Sequence, residues 1–282
     1  MRALIINADD FGLLSPVNQA IIDTYRAGSI TSTTLMVNMP AAEEAVALAR
    51  ETPGLAVGLH LNLTCGGPVS DPESIPTLVD AQGRFLSRGE LLKRCLTGRV
   101  RRAEVRREVQ AQFARFAAFG LPMSHVDSHQ HVHMIPLVFD EVVQITEKLG
   151  LPMRMPFVFD FAQRSLSGQW FKKMVLKLFV RRNQARLGSC PTNQRFLSIW
   201  DIVTFPKAIQ REHYLQLLDW TADGVTELMV HPAYVTEELY QVSNIVPVSL
   251  RETDILLTMP LAEEARRRNI HLQSYWEMQR GR

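Results

Sequence analysis

The 282-residue sequence has few of the features that mark secreted, membrane or nucleic-acid-binding proteins. Its three cysteines, Cys65, Cys95 and Cys190, form no Cys-x-x-Cys pair, which predicts reduced thiols in a cytoplasmic protein. The N-terminus turns acidic after a very short apolar run, which argues against a signal peptide, and no apolar run reaches transmembrane length. The lack of a long apolar run predicts no integral membrane segment. The 31 basic and 29 acidic residues leave a net charge of +2, so no nucleic-acid partner is expected.

The patterns that are present predict an α/β fold. Apolar residues make up 46% of the chain, enough for a sizeable core. Strands are predicted at residues 4–6, 33–37, 56–63, up to 127, 152–155, 199–204, 226–230 and 270–273, alternating with helical patterns. This alternation predicts one (β/α)-barrel-like, TIM-barrel-like domain over residues 1–282, regular, distorted or seven-stranded, with parallel strands and outer helices. An open doubly wound sheet is disfavoured because the first strand–helix turn lacks the glycine pattern that accepts a pyrophosphate.

Two segments interrupt the alternation. Residues 65–86 are rich in glycine and proline without periodicity, which predicts a long loop of the kind that often binds ligands. Residues 160–195 predict a basic helical insertion. A basic amphipathic helix can bind a membrane surface or a partner protein. A solvated basic face over a packed apolar stripe is favoured, because the overall charge is near neutral.

Half of the chain's eight histidines lie between Ser124 and Met134, at alternate positions with an aspartate; these five residues are His125, Asp127, His129, His131 and His133. A straight strand would space them about 7 Å apart on one face, too far for one ion to bind several of them. The strand must therefore end near Asp127, before a helix that begins at Pro136. Packing alone explains such a cluster poorly, because each buried imidazole needs partners for both nitrogens.

Other polar residues follow predicted strand ends, which converge on one rim of a barrel; they are Asp9, Asp10, His60, Arg154 and His231. Alone, each has an ordinary explanation, such as a helix-capping loop for the two aspartates or a satisfied interior histidine for His60. Together with the histidine cluster they predict one site. Two imidazoles and one carboxylate suit a catalytic divalent metal, and a further carboxylate could act as base.

Four motifs carry a family resemblance, and they occur in this order: residues 7–12 (NADDFG), 58–64 (GLHLNLT), 125–134 (HVDSHQHVHM) and 229–232 (MVHP). They resemble the motif set of the YdjC-like carbohydrate deacetylases, the chito-oligosaccharide deacetylase family. The likeness runs from Ala3 to about Leu257 and is weakest at 160–195. It implies a barrel-like fold and metal-dependent removal of acetyl from an N-acetylated sugar or oligosaccharide. By motif position it implies Asp10, His60 and His129 as metal ligands and Asp9 as general base.

The remaining roles are expectations from chemistry. His231 is favoured as general acid over His131 or His133, because it arrives on a separate strand. Asp127 is expected to orient a ligand imidazole, and Arg154 to hold Asp9 ionised or bind substrate. Further support or substrate contacts are expected from His131, His133 and Asn62. The cofactor is one divalent ion: the histidines suit Zn²⁺, whereas the family is commonly described with Mg²⁺, which prefers oxygen ligands.

Two alternatives stay open. A metal-dependent phosphoesterase or amidohydrolase on a barrel could use the His131-x-His133 pair to hold a second metal. A non-catalytic sugar-binding protein is the other alternative, although Asp9 beside Asp10 argues against it, because binding alone needs no extra base. The oligomeric state does not follow from the sequence, and a homodimer is retained as an option.

Overall fold

A computed structural model describes residues 1–157, 168–203 and 209–280, and a curled parallel sheet forms its centre. The strands are β1 (Arg2–Phe11), β2 (Ser32–Leu35), β3 (Ala56–Leu61), β4 (Val126–Ser128), β5 (Arg195–Ser198), β6 (Gly224–Val230) and β7 (His271–Leu272). Their order is β4-β3-β2-β1-β6-β5, every pairing is parallel, and β7 adds to the start of β1. The predicted barrel-like α/β fold is confirmed.

Helices surround this sheet. They are α1 (Ser15–Arg26), α2 (Ala42–Arg50), α3 (Arg88–Leu96), α4 (Arg102–Ala118), α5 (Pro136–Leu149), α6 (Gly168–Gln184), α7 (Arg211–Asp219), α8 (Glu237–Val242), α9 (Val246–Thr258), α10 (Leu261–Arg267) and α11 (Tyr275–Arg280). Helix α5 begins at Pro136, as predicted, and it ends before Gly150, which has a left-handed backbone (φ 65°). Within the described ranges, no helix is both long and apolar enough to cross a membrane.

The two faces of β3 show how the sheet divides the interior. Val57, Leu59 and Leu61 belong to the main apolar core, whereas Ala56 packs with Ile5 in a small separate cluster. Strand alternation places His60 on the same face as Ala56. The outward face therefore anchors the helices, and the inward face carries the polar residues near its carboxyl end.

Residues beyond β4 bring the edges of the sheet together. The predicted strand at 152–155 forms a single parallel bridge, between Val126 and Met153. The Met153 N–H donates to the Pro191 carbonyl at 2.9 Å, and the Asn193 side chain bonds both backbone groups of Met155 at 2.8 Å each. The β4 edge is thereby linked to the chain that leads into β5.

The predicted strand at 199–204 is wrong. The strand is β5, and a 3-10 turn over Ile199–Asp201 follows it. The Asp201 carboxylate accepts the Ser198 backbone N–H at 2.8 Å and its hydroxyl at 3.2 Å, a local capping that ends the strand early. Residue 204 lies outside the described residues, and the next described helix, α7, begins at Arg211 after an extended Gln210.

The segment at 65–86 is the predicted long loop, with one 3-10 turn at Pro72–Ser74. Two buried carboxylates of α4 hold it: Glu108 accepts the backbone N–H groups of Val69 and Ser70, and Glu104 accepts that of Thr77. A loop tied down at several backbone groups can keep a fixed shape beside a site.

The basic segment predicted at 160–195 contains α6, while residues 158–167 lie outside the described part. Arg182 and Arg186 pair with Asp140 of α5 at 3.3 and 3.1 Å, and Val180 is buried. This packing agrees with a solvated basic face over an apolar stripe. The single-domain organisation stays a prediction.

Candidate active site

Asp9 and Asp10 lie near the end of β1, where a bulge changes the direction of their side chains. Successive residues of a regular strand point to opposite faces. Here Asp10 has a left-handed backbone (φ 71°), and the pairing with β2 shifts register between Ala8 and Phe11. Such a conformation costs a non-glycine residue on the order of 1 kcal/mol and is typical of functional sites. The bulge explains how two adjacent carboxylates reach one site.

Asp10 meets two histidines brought by β3 and by the end of β4. Its Oδ1 lies 2.9 Å from the His129 Nδ1 and 3.3 Å from the His60 Nε2. One potential ligand atom from each of the three residues lies within 4.8 Å of the others. After His129 the chain turns sharply, with Gln130 and His131 both left-handed (φ 53° and 57°). The three predicted metal ligands are therefore close together.

Asp127 orients His60 from behind. Its Oδ1 accepts the His60 Nδ1–H at 2.6 Å, which leaves Nε2 directed toward Asp10. The Thr34 hydroxyl donates to the other Asp127 oxygen at 3.1 Å. A carboxylate that holds the far ring nitrogen fixes the tautomer and the direction of a ligand imidazole.

The charges of the cluster favour a bound cation. Burial alone would raise the pKa of Asp10, but the imidazoles of His129 and His60 hold it well below its ordinary value. Burial opposes protonation of His60, yet Asp127, Asp10 and Asp9 raise its pKa to about 10. The carboxylates thus create a strongly negative environment at the His60 ring. A divalent ion fits this donor set, and it would take the place of the proton on His60.

Arg154 is fully buried and clamps Asp9. Its Nη1 and Nη2 donate to the two Asp9 oxygens at 2.7 Å each, and Nη1 also lies 2.7 Å from Asp127. Burial alone would raise the pKa of Asp9, but the Arg154 guanidinium holds it far below its ordinary value. Asp9 is therefore ionised. The burial of Arg154 favours this role over direct contact with a substrate.

A second group of potential ligands among the described residues, Asp9, His60 and Asp127, shares His60 with the first. Arg154 already bonds both of its carboxylates. In a two-metal enzyme, a second metal ion would neutralise carboxylates such as these, and here the Arg154 guanidinium does so. The arrangement favours a single-metal site.

His231 follows the end of β6, the strand that pairs with β1, and it lines a cleft together with Asp9, Asp10, Leu13, Val17 and Leu239. Glu252 of α9 accepts the His231 backbone N–H at 2.7 Å, and its carboxylate lies 3.8 Å from the His231 Nδ1. This is an ion-pair distance rather than a hydrogen bond. Burial lowers the pKa of His231, but Glu252, Asp9 and Asp10 more than offset it and raise the pKa.

The other histidines of the cluster differ from His231. His133 is buried, with Nδ1 bonded to the Ser128 hydroxyl and Nε2 donating to the Arg154 carbonyl at 3.0 Å. It supports the loop and Arg154 rather than lining a cleft. His131 is partly exposed, and its ring meets Phe196 edge to face at 5.4 Å. Burial is the main cause that lowers the pKa of both imidazoles, so both are neutral.

Asn62 shapes the turn after β3. Its Oδ1 accepts the backbone N–H groups of Thr64 and Cys65 at 3.0 Å, and its Nδ2 donates to the Cys65 carbonyl at 2.7 Å. The residue is fully buried. These contacts favour a supporting role over contact with substrate.

The sequence patterns do not single out four residues that complete the site: Thr34, Glu227, Glu252 and Tyr275. Glu227 does carry a signal, because a charged residue in the middle of an apolar strand, two positions before Met229, requires a buried partner. That partner is Arg154, whose Nε donates to Glu227 at 2.7 Å. Thr34, Glu252 and Tyr275 have no comparable local signal.

Comparisons with known proteins agree with this geometry. A family model described as YdjC-like protein matches residues 3–267. A carbohydrate deacetylase from Geobacillus stearothermophilus is 37% identical over 277 residues, 98% of each chain. A chitooligosaccharide deacetylase from Serratia marcescens is 33% identical over 282 residues, covering 98% of this chain and 99% of the other. A crystal structure from Enterococcus faecalis V583, provisionally named a cellobiose-phosphate cleavage protein, superposes with a TM-score of 0.76 at 32% identity over 97% of both chains.

Proposed function

The chain belongs to the YdjC-like family, and from that premise we propose that it is a metal-dependent carbohydrate deacetylase that removes acetyl from an N-acetylated sugar or oligosaccharide. The observation that carries the proposal is the convergence of Asp10, His60 and His129 beside an ionised Asp9, with His231 lining the same cleft. The curated relatives named above are deacetylases acting on carbohydrates.

In this proposal Asp10, His60 and His129 hold one divalent ion. Two imidazoles and a carboxylate suit Zn²⁺, and Mg²⁺ would need additional oxygen ligands such as water. The chemistry that a divalent ion supplies at such a site is a lowered pKa for a water molecule and polarisation of the acetyl carbonyl.

Asp9 and His231 then divide the proton transfers. The attacking water forms a bond to the acetyl carbon and gives its proton to Asp9. The carbon–nitrogen bond breaks as the nitrogen takes a proton from His231, which releases a free amine and acetic acid. The acid ionises to acetate, Asp9 loses its proton to solvent, and His231 takes one up. The ion pair with Arg154 keeps Asp9 unprotonated but weakens it as a base, so the attacking water must be acidified. The raised pKa of His231 suits a proton donor near neutral pH, unlike the neutral imidazoles of His131 and His133.

An acetate-release screen over N-acetylated mono- and oligosaccharides tests the activity. Asp9→Asn is expected to keep the metal and lose turnover, whereas His129→Ala is expected to lose both. A metal-free Asp9→Asn protein would contradict the division of roles. A protein that binds the sugars but releases no acetate with either metal present would instead be the sugar-binding alternative.

The sugar, the cytoplasmic location and a homodimer remain sequence-based predictions. The two-metal phosphoesterase alternative is disfavoured by Arg154, which bonds the carboxylates that a second ion would need.

A further inference from the structure

Tyr275 is the first residue of α11, and it packs against the end of the sheet at which β2 and β3 begin. Its side chain is fully buried, and its ring stacks on His125 at 3.6 Å with an interplanar angle of 8°. Its backbone N–H donates to the Ser32 hydroxyl at 3.2 Å, and its ring packs with Ile5 and Ala56. Ser32 and Ala56 begin β2 and β3, so Tyr275 lies toward the end of the sheet away from the proposed ligands.

The Tyr275 hydroxyl begins a line of buried hydrogen bonds that ends at Asp9. It donates to the Glu227 Oε2 at 2.6 Å. The other Glu227 oxygen accepts the Arg154 Nε–H at 2.7 Å, and the two Nη groups of Arg154 bond both Asp9 oxygens at 2.7 Å. All four side chains are buried.

Packing alone does not require this hydroxyl, because a phenylalanine ring would stack on His125 equally well. The hydroxyl matters for Glu227. Burial is the main cause that raises the pKa of Glu227, and the charge of Arg154 and the bonds from Arg154 and Tyr275 limit the rise to about 6. A guanidinium is planar, so a carboxylate fixed at Nε also fixes the direction of the two Nη groups.

We propose that Tyr275 is a positioning residue for the deacetylase site: its hydroxyl holds Glu227, Glu227 fixes the plane of Arg154, and Arg154 presents Asp9. The inference rests on the proposed function, in which Asp9 receives the proton of the attacking water. It predicts that a residue at the far end of the sheet affects turnover without touching substrate or metal.

Tyr275→Phe tests this inference because it keeps the ring and removes only the hydroxyl. We expect kcat for acetate release to fall about fivefold, since a hydrogen bond to a buried charge is lost and part of its effect reaches Asp9. KM and metal content should stay at the wild-type values. Tyr25→Phe, at a partly buried tyrosine of α1 packed against the core, is the matched control and should leave all three unchanged.

A double-mutant cycle with Glu227→Gln separates this path from a general loss of stability. If Tyr275 acts through Glu227, the double variant should have a kcat within about twofold of Glu227→Gln alone. If the two substitutions instead lower kcat independently, so that their fold-reductions multiply in the double variant, Tyr275 does not act through Glu227. A wild-type kcat in Tyr275→Phe would also overturn the path. So would an effect of this substitution that is confined to KM or to metal content.

Two further outcomes keep the test decisive. If Tyr275→Phe does not fold, Glu227→Gln tests the next residue of the same path, and an unchanged kcat in that variant refutes the path. Wild-type protein that releases no acetate would refute the proposed function. An active wild type with an unaffected Tyr275→Phe variant would refute only the role of Tyr275.

Discussion

Asp127→Asn is the substitution that most directly tests how the site orients its ligands. The variant keeps the shape of the side chain but replaces one carboxylate oxygen by an amide nitrogen. In the native protein one oxygen holds the His60 Nδ1–H at 2.6 Å, and the other lies 2.7 Å from Arg154. Whichever way the amide turns, its NH₂ group faces a donor: Arg154 in one orientation, or the Nδ1–H of His60 in the other.

The expected magnitude follows from these contacts. Loss of the carboxylate that orients a ligand imidazole typically weakens metal binding about 10- to 100-fold, which corresponds to about 1.4–2.7 kcal/mol. Arg154 keeps its bonds to Asp9 and Glu227. The loss of folding stability should therefore stay below the roughly 3–5 kcal/mol seen when a buried ion pair loses one partner outright.

Calorimetric titration of Zn²⁺ or Mg²⁺ into metal-depleted protein measures the first quantity, and urea unfolding of the same samples measures the second. Asp140→Asn is a matched control, because Asp140 is a buried carboxylate that pairs with arginines on the outer helices. It should lose stability without weakening metal binding. Wild-type metal affinity in Asp127→Asn would refute the orienting role, as would equal weakening in the two variants.

Three further predictions concern the acid, the buried histidine and the sheet interior. Glu252→Gln should lower the pKa of His231, so the alkaline limb of the kcat–pH profile should move to lower pH while metal content stays unchanged. An alkaline limb that does not move would show that Glu252 does not set the pKa of the acid. Burial lowers the pKa of His125 to about 3 from 6.5, so the folded state binds fewer protons than the unfolded state between these values, and stability falls as pH drops through that window, by no more than about 5 kcal/mol. His125→Phe, which keeps the stack on Tyr275, should flatten the dependence of the unfolding free energy on pH there; an unchanged slope in urea titrations would contradict the assignment. Gly58→Ala should lower the melting temperature by several degrees, because the new Cβ would lie 2.7 Å from the His125 carbonyl oxygen, which belongs to the backbone; a wild-type melting curve would show that the sheet can adjust.

The sequence predicts the parts of the site that lie at strand ends. The alternating histidines require the strand to end near Asp127, and β4 ends at Ser128 with Pro136 opening α5. Strand alternation alone places His60 on the face of β3 opposite Leu59 and Leu61, because the alternation of side chains is a local property.

What sequence patterns leave out depends on long-range contacts. The bulge at Asp10 follows from no local signal, yet it lets both aspartates reach one site. Tyr275 and Glu252 join the site through tertiary contacts of α11 and α9: the first bonds Glu227, and the second bonds the backbone of His231. The misplaced strand at 199–204 has a local cause, a serine and an aspartate that cap a turn and outweigh the β-branched residues around them.

Acetate release during metal titration measures how many ions the proposed site needs and whether Asp9 is required for turnover. Metal-depleted protein is titrated with Zn²⁺ or Mg²⁺ while acetate release from an N-acetylated chito-oligosaccharide is recorded, with Asp9→Asn in parallel. A single-metal deacetylase predicts that activity reaches its plateau at one ion per chain, and that Asp9→Asn binds the same one ion without releasing acetate. A plateau at two ions per chain, or acetate release by Asp9→Asn at the wild-type rate, would contradict it.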